Sequence, residues 1–225
     1  MKIALISDIH SNLFYLRRVL EEIEKEKVDD IYCLGDLVGY YDEPDEVIKL
    51  IKSRGIKCVK GNHDKYLLGE LPYDINREKI YRIKQQRESL SSESLEFLRN
   101  LRDEIILEVN GRKIYMTHSL PNDCETYIYD LRSLDLNLLR GGINYYFFGH
   151  THIPMVTYHY GICFSNPGSV GQPRDFTKCS SYAIVDFEKE EVKIKRVKQD
   201  VETYIQKIKG HYDEQLIEIL IRGGF

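Results

Sequence analysis

The sequence predicts an α/β fold, a four-layer α-β-β-α sandwich in which two facing mixed sheets are flanked by helices. Three observations carry that expectation. Over the first 60 residues, apolar runs alternate with amphipathic helical segments, the rhythm of parallel strands joined by right-handed crossovers. From residue 155 the pattern turns purely β. Polar motifs rich in Asp, Asn and His follow strand-like runs in both halves, so a domain boundary between the halves would cut one constellation in two.

Taken in order, residues 2–7 (KIALIS) have the apolar density of a buried strand. Residues 12–27 then place Leu13, Leu16, Leu20 and Ile23 at helical spacing. A second strand spans 30–34. Pro44 opens a helix over 44–53, at a first-turn position where its missing N–H costs nothing. Gly55 ends that helix and a third strand covers 56–60. Helical patterns follow over 76–88 and 92–101, with Ser91 or Ser92 as N-cap of the latter. Strands over 104–109 and 112–117 join across Asn110-Gly111, a strong hairpin signal. Residues 130–139 read as helix and 144–148 as a buried strand. Further strands fall at 156–158, 162–165, 181–187 and 191–197, with turns at Tyr160-Gly161 and 188–190. Residues 201–221 close the chain as an amphipathic helix or helix pair. With no Pro/Gly/Ser linker and no internal repeat, residues 1–225 read as one domain: a core over 1–200 and a C-terminal helical extension over 201–225.

Composition excludes several classes. At 42% hydrophobic and 30% charged, with no low-complexity tract, the 225-residue chain is neither disordered nor fibrous. A net charge of −4 argues against a dedicated nucleic-acid surface. No apolar stretch approaches the roughly 20 residues of a membrane helix, and the start, MKIALISD, is too quickly charged for a signal peptide. Five scattered cysteines without a CxxC pair fit reduced, mostly buried thiols, and the expectation is a cytoplasmic protein of open oligomeric state without a thiolate zinc site.

The chemistry lies in the histidines. Five of the seven sit in motifs at strand ends: Asp8-Ile9-His10, Gly61-Asn62-His63-Asp64, Thr117-His118, and Gly149-His150-Thr151-His152, with Gly35-Asp36 ending another strand. Singly these are weak, since an Asp after a strand is commonly an N-cap and a lone His commonly packs in a core. Turn chemistry explains Gly and Asn in Gly61-Asn62 but not His63-Asp64, and His-x-His at a strand end commonly holds a metal. Ligands gather at the carboxyl ends of strands in open α/β sheets. Two Asp, one Asn and four His suffice for two divalent ions sharing one carboxylate, so the set reads as a dinuclear metallohydrolase. His159 and His211 have no such context and stay outside it.

The order DxH, GD, GNHD, a lone His and then GHTH resembles the calcineurin-like metallophosphoesterases. GDLVGY at residues 35–40 and NPGSVGQPRD at 166–175 look like its small prokaryotic phosphodiesterase branch. The resemblance implies that Asp8, His10, Asp36 and His152 hold one metal. It implies that Asp36, Asn62, His118 and His150 hold the other, with Asp36 bridging. A water between the ions would attack phosphorus in line with the leaving oxygen. His63 would steady the phosphoryl charge or protonate the leaving group, with Asp64 fixing its ring. All-N/O donors fit Mn²⁺ first, or Fe, Zn²⁺, Co²⁺ or Ni²⁺. The loop over 166–175 would aim Ser169 or Arg174 at a small phosphate ester, or else brace the sheets.

Two segments depart from the family's habit. Tyr41-Asp42-Glu43 follows GDLVGY, and His118 sits in Thr-His-Ser-Leu-Pro. Protein phosphatases resemble a GDxxDRG pattern, and Gly39-Tyr40 replaces its Asp-Arg pair here. Phosphodiester hydrolysis is the expectation. The alternatives are a dinucleoside-polyphosphate hydrolase, a phosphomonoesterase, or a non-catalytic interaction scaffold on the same fold.

Overall fold

The computed structural model describes residues 1–222 other than 136, 138, 140 and 211. The N-terminal half contains β1 (Lys2–Ile6), α1 (Leu13–Glu26), β2 (Asp30–Cys33), α2 (Pro44–Ser53), β3 (Lys57–Cys58) and α3 (Asn62–Leu68). Next come α4 (Glu78–Tyr81), α5 (Ile83–Ser89), α6 (Ser92–Asn100), β4 (Glu104–Val109), β5 (Arg112–Thr117) and β6 (Tyr145–Phe147). The chain continues with β7 (Met155–His159), β8 (Ile162–Asn166), β9 (Cys179–Asp186), β10 (Glu191–Lys198), α7 (Val201–Ile208) and α8 (Glu214–Ile221).

Both five-stranded sheets are mixed: β10-β9-β1-β2-β3 and β4-β5-β6-β8-β7. In the first, β1, β2 and β3 are parallel while β9 runs antiparallel to β1. In the second, β5, β6 and β8 are parallel. Side-chain parity makes the layers. Ile3 and Leu5 of β1 face the second sheet and meet Ile114, Met116 and Phe147, while Ala4 and Ile6 face the helices. α1, α2, α7 and α8 cover that helical side, with Leu16, Val47, Tyr204 and Leu216 buried. Tyr204 packs against the rings of Phe14, Tyr15 and Tyr41, which ties the C-terminal helices to the core. The outer face of the second sheet (Tyr115, Tyr146, Phe164) lies under Leu120, Ile128 and Leu131 of the β5–β6 connection.

Local punctuation follows the sequence at several points. Asn12 caps α1, Ser91 rather than Ser92 caps α6, and Pro44 opens α2. Asn110-Gly111 and Tyr160-Gly161 both take positive φ at each residue, as two-residue hairpins require.

Elsewhere the structure differs from expectation. The helix expected over 76–88 is broken at Arg82, whose φ is 56°, because the Glu78 carboxylate accepts the backbone N–H groups of Lys84 and Gln85 and caps a new helix there. The expected strand over 56–60 shortens to β3, since Val59 bridges to Arg102. Between residues 130 and 139 the structure has the 3-10 turn Leu131–Ser133 in place of a continuous helix, with residues 134 and 135 outside any helix, and positions 136 and 138 of the expected helix lie outside the described residues, as does His211. Helix α3 went unpredicted because its first turn is the GNHD motif, read as a loop.

Candidate metal centre

Strands β1, β2 and β3 of one sheet and β5 and β6 of the other end at the same edge. There the chain turns sharply. Asp8, His10, Asp36, His150 and His152 all take positive φ, between 51° and 67°, which L-residues rarely adopt. Five strained residues among seven expected ligands indicate that tertiary contacts fix the backbone so that these side chains converge. Gly61 and Gly149 make the convergence possible. A Cβ at Gly61 would lie 2.0 Å from Asp36 Oδ1, and one at Gly149 2.0 Å from Ser7 Oγ and 2.9 Å from Asp8 Oδ2.

All seven expected ligands are buried and fall into two groups. In the first, His10 Nε2 lies 3.1 Å from His152 Nε2, and His152 Nε2 lies 3.3 Å from Asp8 Oδ1. In the second, His118 Nε2 lies 3.0 Å from Asn62 Oδ1 and 3.2 Å from His150 Nδ1. Asp36 Oδ2 sits between them, 3.6 Å from His10 Nε2 and 3.5 Å from His118 Nε2. Donors about 2.1 Å from one ion stand roughly 3.0–3.4 Å apart in octahedral or tetrahedral geometry. The 3.0–3.3 Å spacings fit that edge length, while His10 Nε2 and Asp8 Oδ1 stand wider, at 3.9 Å.

The far ring nitrogens explain how the imidazoles are aimed. His10 Nδ1 bonds the Val38 carbonyl at 3.0 Å, His118 Nδ1 that of Leu34 at 2.7 Å and His152 Nδ1 that of Gln172 at 2.7 Å. His150 is reversed, its Nε2 bonding the Glu125 carbonyl at 2.9 Å. A carbonyl only accepts, so each ring carries a proton outward and turns its other nitrogen, a lone pair when the ring is neutral, toward the cluster.

Electrostatics point the same way. Burial pushes His10 and His152 well below the usual imidazole range, and burial with the charge of His118 pushes His150 down to about 3. Burial works against a charged His118 too, but Asp36 overrides it and lifts the ring to about 9. Burial raises Asp8 to about 7. Its Oδ1 has no hydrogen-bond partner, although Oδ2 accepts the His150 N–H at 3.1 Å. Neutral His10, His150 and His152, a His118 held charged only by the carboxylate of Asp36, a second carboxylate close by and an orphaned carboxylate oxygen form a donor set suited to divalent cations.

The remaining expected residues separate. His63 is buried beside Asp36 in the cavity wall, and burial lowers it to about 4. Its backbone N–H donates to Asp36 Oδ1 at 2.9 Å, steadying that carboxylate. Asp64 does not fix the His63 ring. At the third position of α3 it turns back, and its oxygens accept the N–H groups of Asp36, Leu37, Val38 and Gly61, while His63 Nδ1 has no partner. Ser169 is likewise a brace and not a substrate contact: wholly buried, its hydroxyl donates to the Asp8 carbonyl and accepts the Gln172 N–H, both at 2.7 Å. Arg174 does line the cavity, held by Gln172 Oε1 at 2.8 Å and Tyr40 OH at 3.2 Å.

Sequence reasoning missed the cavity's aromatic wall. Tyr40 and Tyr81 pack 4.7 Å from the His63 ring and Tyr66 at 5.5 Å, while Tyr127 lies 4.0 Å from His150. The GDLVGY motif ends on Tyr40, but beyond the high tyrosine count, 17, nothing local marks Tyr66, Tyr81 and Tyr127.

Comparison with known proteins agrees with this geometry. Residues 1–190 match the model of the calcineurin-like phosphoesterase superfamily domain. The chain belongs to that family. It is 35% identical to an uncharacterized protein of Methanocaldococcus jannaschii across 98% of each chain. A metallophosphoesterase structure from Sphaerobacter thermophilus superposes with a TM-score of 0.82 at 28% identity, covering 100% of this chain and 99% of the other. A shorter match, 36% identical over 28% of this chain and 24% of the relative, is to a symmetrical bis(5'-nucleosyl)-tetraphosphatase of Pasteurella multocida. Family and structure together indicate a metal-dependent phosphoester hydrolase. None of the helices among the described residues is long and apolar enough to cross a membrane.

Proposed function

We propose that the protein hydrolyses small phosphodiesters using two divalent ions. One observation carries this: a single oxygen, Asp36 Oδ2, stands about equally far from the two histidine groups, 3.6 and 3.5 Å from their nearest ring nitrogens. Asp8, His10, Asp36 and His152 would hold one ion, and Asp36, Asn62, His118 and His150 the other. The N/O donor set suits Mn²⁺ first among Mn²⁺, Fe, Zn²⁺, Co²⁺ and Ni²⁺. When bound, the pair would lower the pKa of a water and neutralise phosphoryl charge.

The chain's own groups supply the rest. His63 faces the cavity beside Asp36 with its Nδ1 unpartnered, placed to give a proton to the leaving oxygen or to steady charge on phosphorus. Arg174 is the one Lys or Arg among the described residues lining the cavity. A diester carries one negative charge and a monoester nearly two. One guanidinium, with Leu37 to Tyr41 supplying no cation after Asp36, favours the diester. The partial match to a bis(5'-nucleosyl)-tetraphosphatase keeps dinucleoside polyphosphates as the second reading. We take residues 1–225 as one domain, supported by Tyr204 and Leu216 of the C-terminal helices in the main core, and place it in the cytoplasm, which the five free cysteines support.

The test is elemental analysis of metal-loaded protein with turnover of bis-nitrophenyl and nitrophenyl phosphate. Two ions per chain and higher kcat/KM for the diester are expected. One ion at saturation overturns the dinuclear centre, and a monoester preference abolished by Arg174→Ala overturns the diester assignment.

A further inference from the structure

Among the described residues nine large apolar side chains are exposed, and four of them cluster on segments that carry the site. Tyr127 and Tyr129 follow Glu125, whose carbonyl orients His150; Ile153 follows His152; and Phe176 follows Arg174. The last two segments are joined by a hydrogen bond from the Arg174 N–H to the His152 carbonyl. Exposed apolar side chains on the segments that carry a polar centre mark a surface that ligand covers.

Of these four, the two tyrosines form a ladder. Tyr127 lies 4.0 Å from the His150 ring, and Tyr129 stacks on Tyr127 with centroids 5.5 Å apart and planes within 5°. Tyr127 lines the same cavity as Arg174. Tyr129 is 60% exposed and continues the stack outward. The inner cavity, about 150 Å³, is below the 300–1,000 Å³ of pockets that enclose whole organic ligands. It fits the phosphoryl centre and leaves the organic arms to the surface outside it.

Resting on the phosphodiesterase reading above, we propose that the Tyr127–Tyr129 ladder is the subsite for one ester arm, and that this arm is a nucleoside whose base stacks on the ladder. Tyrosine stacking tolerates any base, because every base offers a π-face. The ladder therefore selects nucleoside esters as a class over aliphatic ones and leaves base identity unread.

Two substrates sharing one leaving group isolate the retained arm: thymidine 5′-(para-nitrophenyl phosphate) and methyl para-nitrophenyl phosphate. In each, the phosphorus–oxygen bond to nitrophenolate breaks and one forms to the oxygen of water. The water's two protons end on the departing phenolate and in solvent, and the thymidine or methyl monoester remains. With Mn²⁺-loaded protein, kcat/KM should be roughly tenfold higher for the thymidine ester, as one stacked base supplies. Tyr129→Leu should bring the ratio close to one through KM for the thymidine ester, and Tyr129→Phe should keep it, since stacking needs the ring and not the hydroxyl. A wild-type ratio near one, or a ratio untouched by Tyr129→Leu, overturns the subsite while leaving the phosphodiesterase reading intact. Failure to cleave either ester overturns both.

Discussion

Asp64→Asn tests how the loop bearing Asp36 is held. Each Asp64 oxygen accepts two backbone N–H groups: Oδ2 those of Asp36 and Gly61 at 3.0 and 2.9 Å, Oδ1 those of Leu37 and Val38 at 2.9 and 3.3 Å. Asparagine has one carbonyl oxygen. Whichever way its amide turns, two buried N–H groups lose their acceptor and face an NH₂ instead. Each orphaned buried donor costs about 1–3 kcal/mol, so the variant should lose about 2–6 kcal/mol of stability. In a chain of this size about 1 kcal/mol moves the midpoint by roughly 2–4 °C, which gives a fall of roughly 4–24 °C. Unfolding should be followed in chelator by circular dichroism and tyrosine fluorescence, so that metal binding does not mask the change. An unchanged midpoint with a kcat loss greatest for poor leaving groups would refute this account. It would return Asp64 to the His63 ring.

Three further substitutions probe separate links. His63→Ala should keep its metal content by elemental analysis and lose roughly 10²–10⁴-fold in kcat, least for nitrophenol esters, whose departure needs little protonation. Loss of metal would make His63 a ligand. Ser169→Ala leaves the Gln172 N–H without its 2.7 Å acceptor and should cost about 1–3 kcal/mol in urea unfolding with KM unchanged. A raised KM at full stability would make it a substrate contact after all. Burial works against the Asp45 carboxylate, yet Lys49 and Ser91 hold it well below the usual carboxylate range. A depressed folded pKa contributes stability above the unfolded value of about 4 and loses it as pH falls toward the folded one. Asp45→Asn should therefore be less stable than the parent at pH 7, with the gap closing below about pH 4. A gap that persists there would put the effect in packing and not in charge.

Periodicity made much of the fold legible. Alternation of Ile3 and Leu5 against Ala4 and Ile6 encodes a strand buried on both faces, and Asn110-Gly111 encodes its turn through left-handed dihedrals alone. Where a local capping interaction outweighed periodicity, the reading failed. Glu78 restarting a helix at Ile83 is invisible to a pattern that continues smoothly through Arg82. The seven expected ligands were legible because Asp, Asn and His at strand ends are chemically conspicuous. The structure gathers all of them.

Residue type and order alone therefore determined the layered α/β architecture, the family and the cluster of nitrogen and oxygen donors. Only the tertiary structure decided which way each side chain acts: Asp64 toward four backbone amides, Ser169 under Asp8, Arg174 into the cavity, and Tyr127 against His150. The physical reason is range. Burial and turn preferences are written within a few neighbouring residues. A buried hydrogen bond between Ser169 and Asp8 joins segments 161 residues apart, and which partners meet over that span is set by how the two sheets pack.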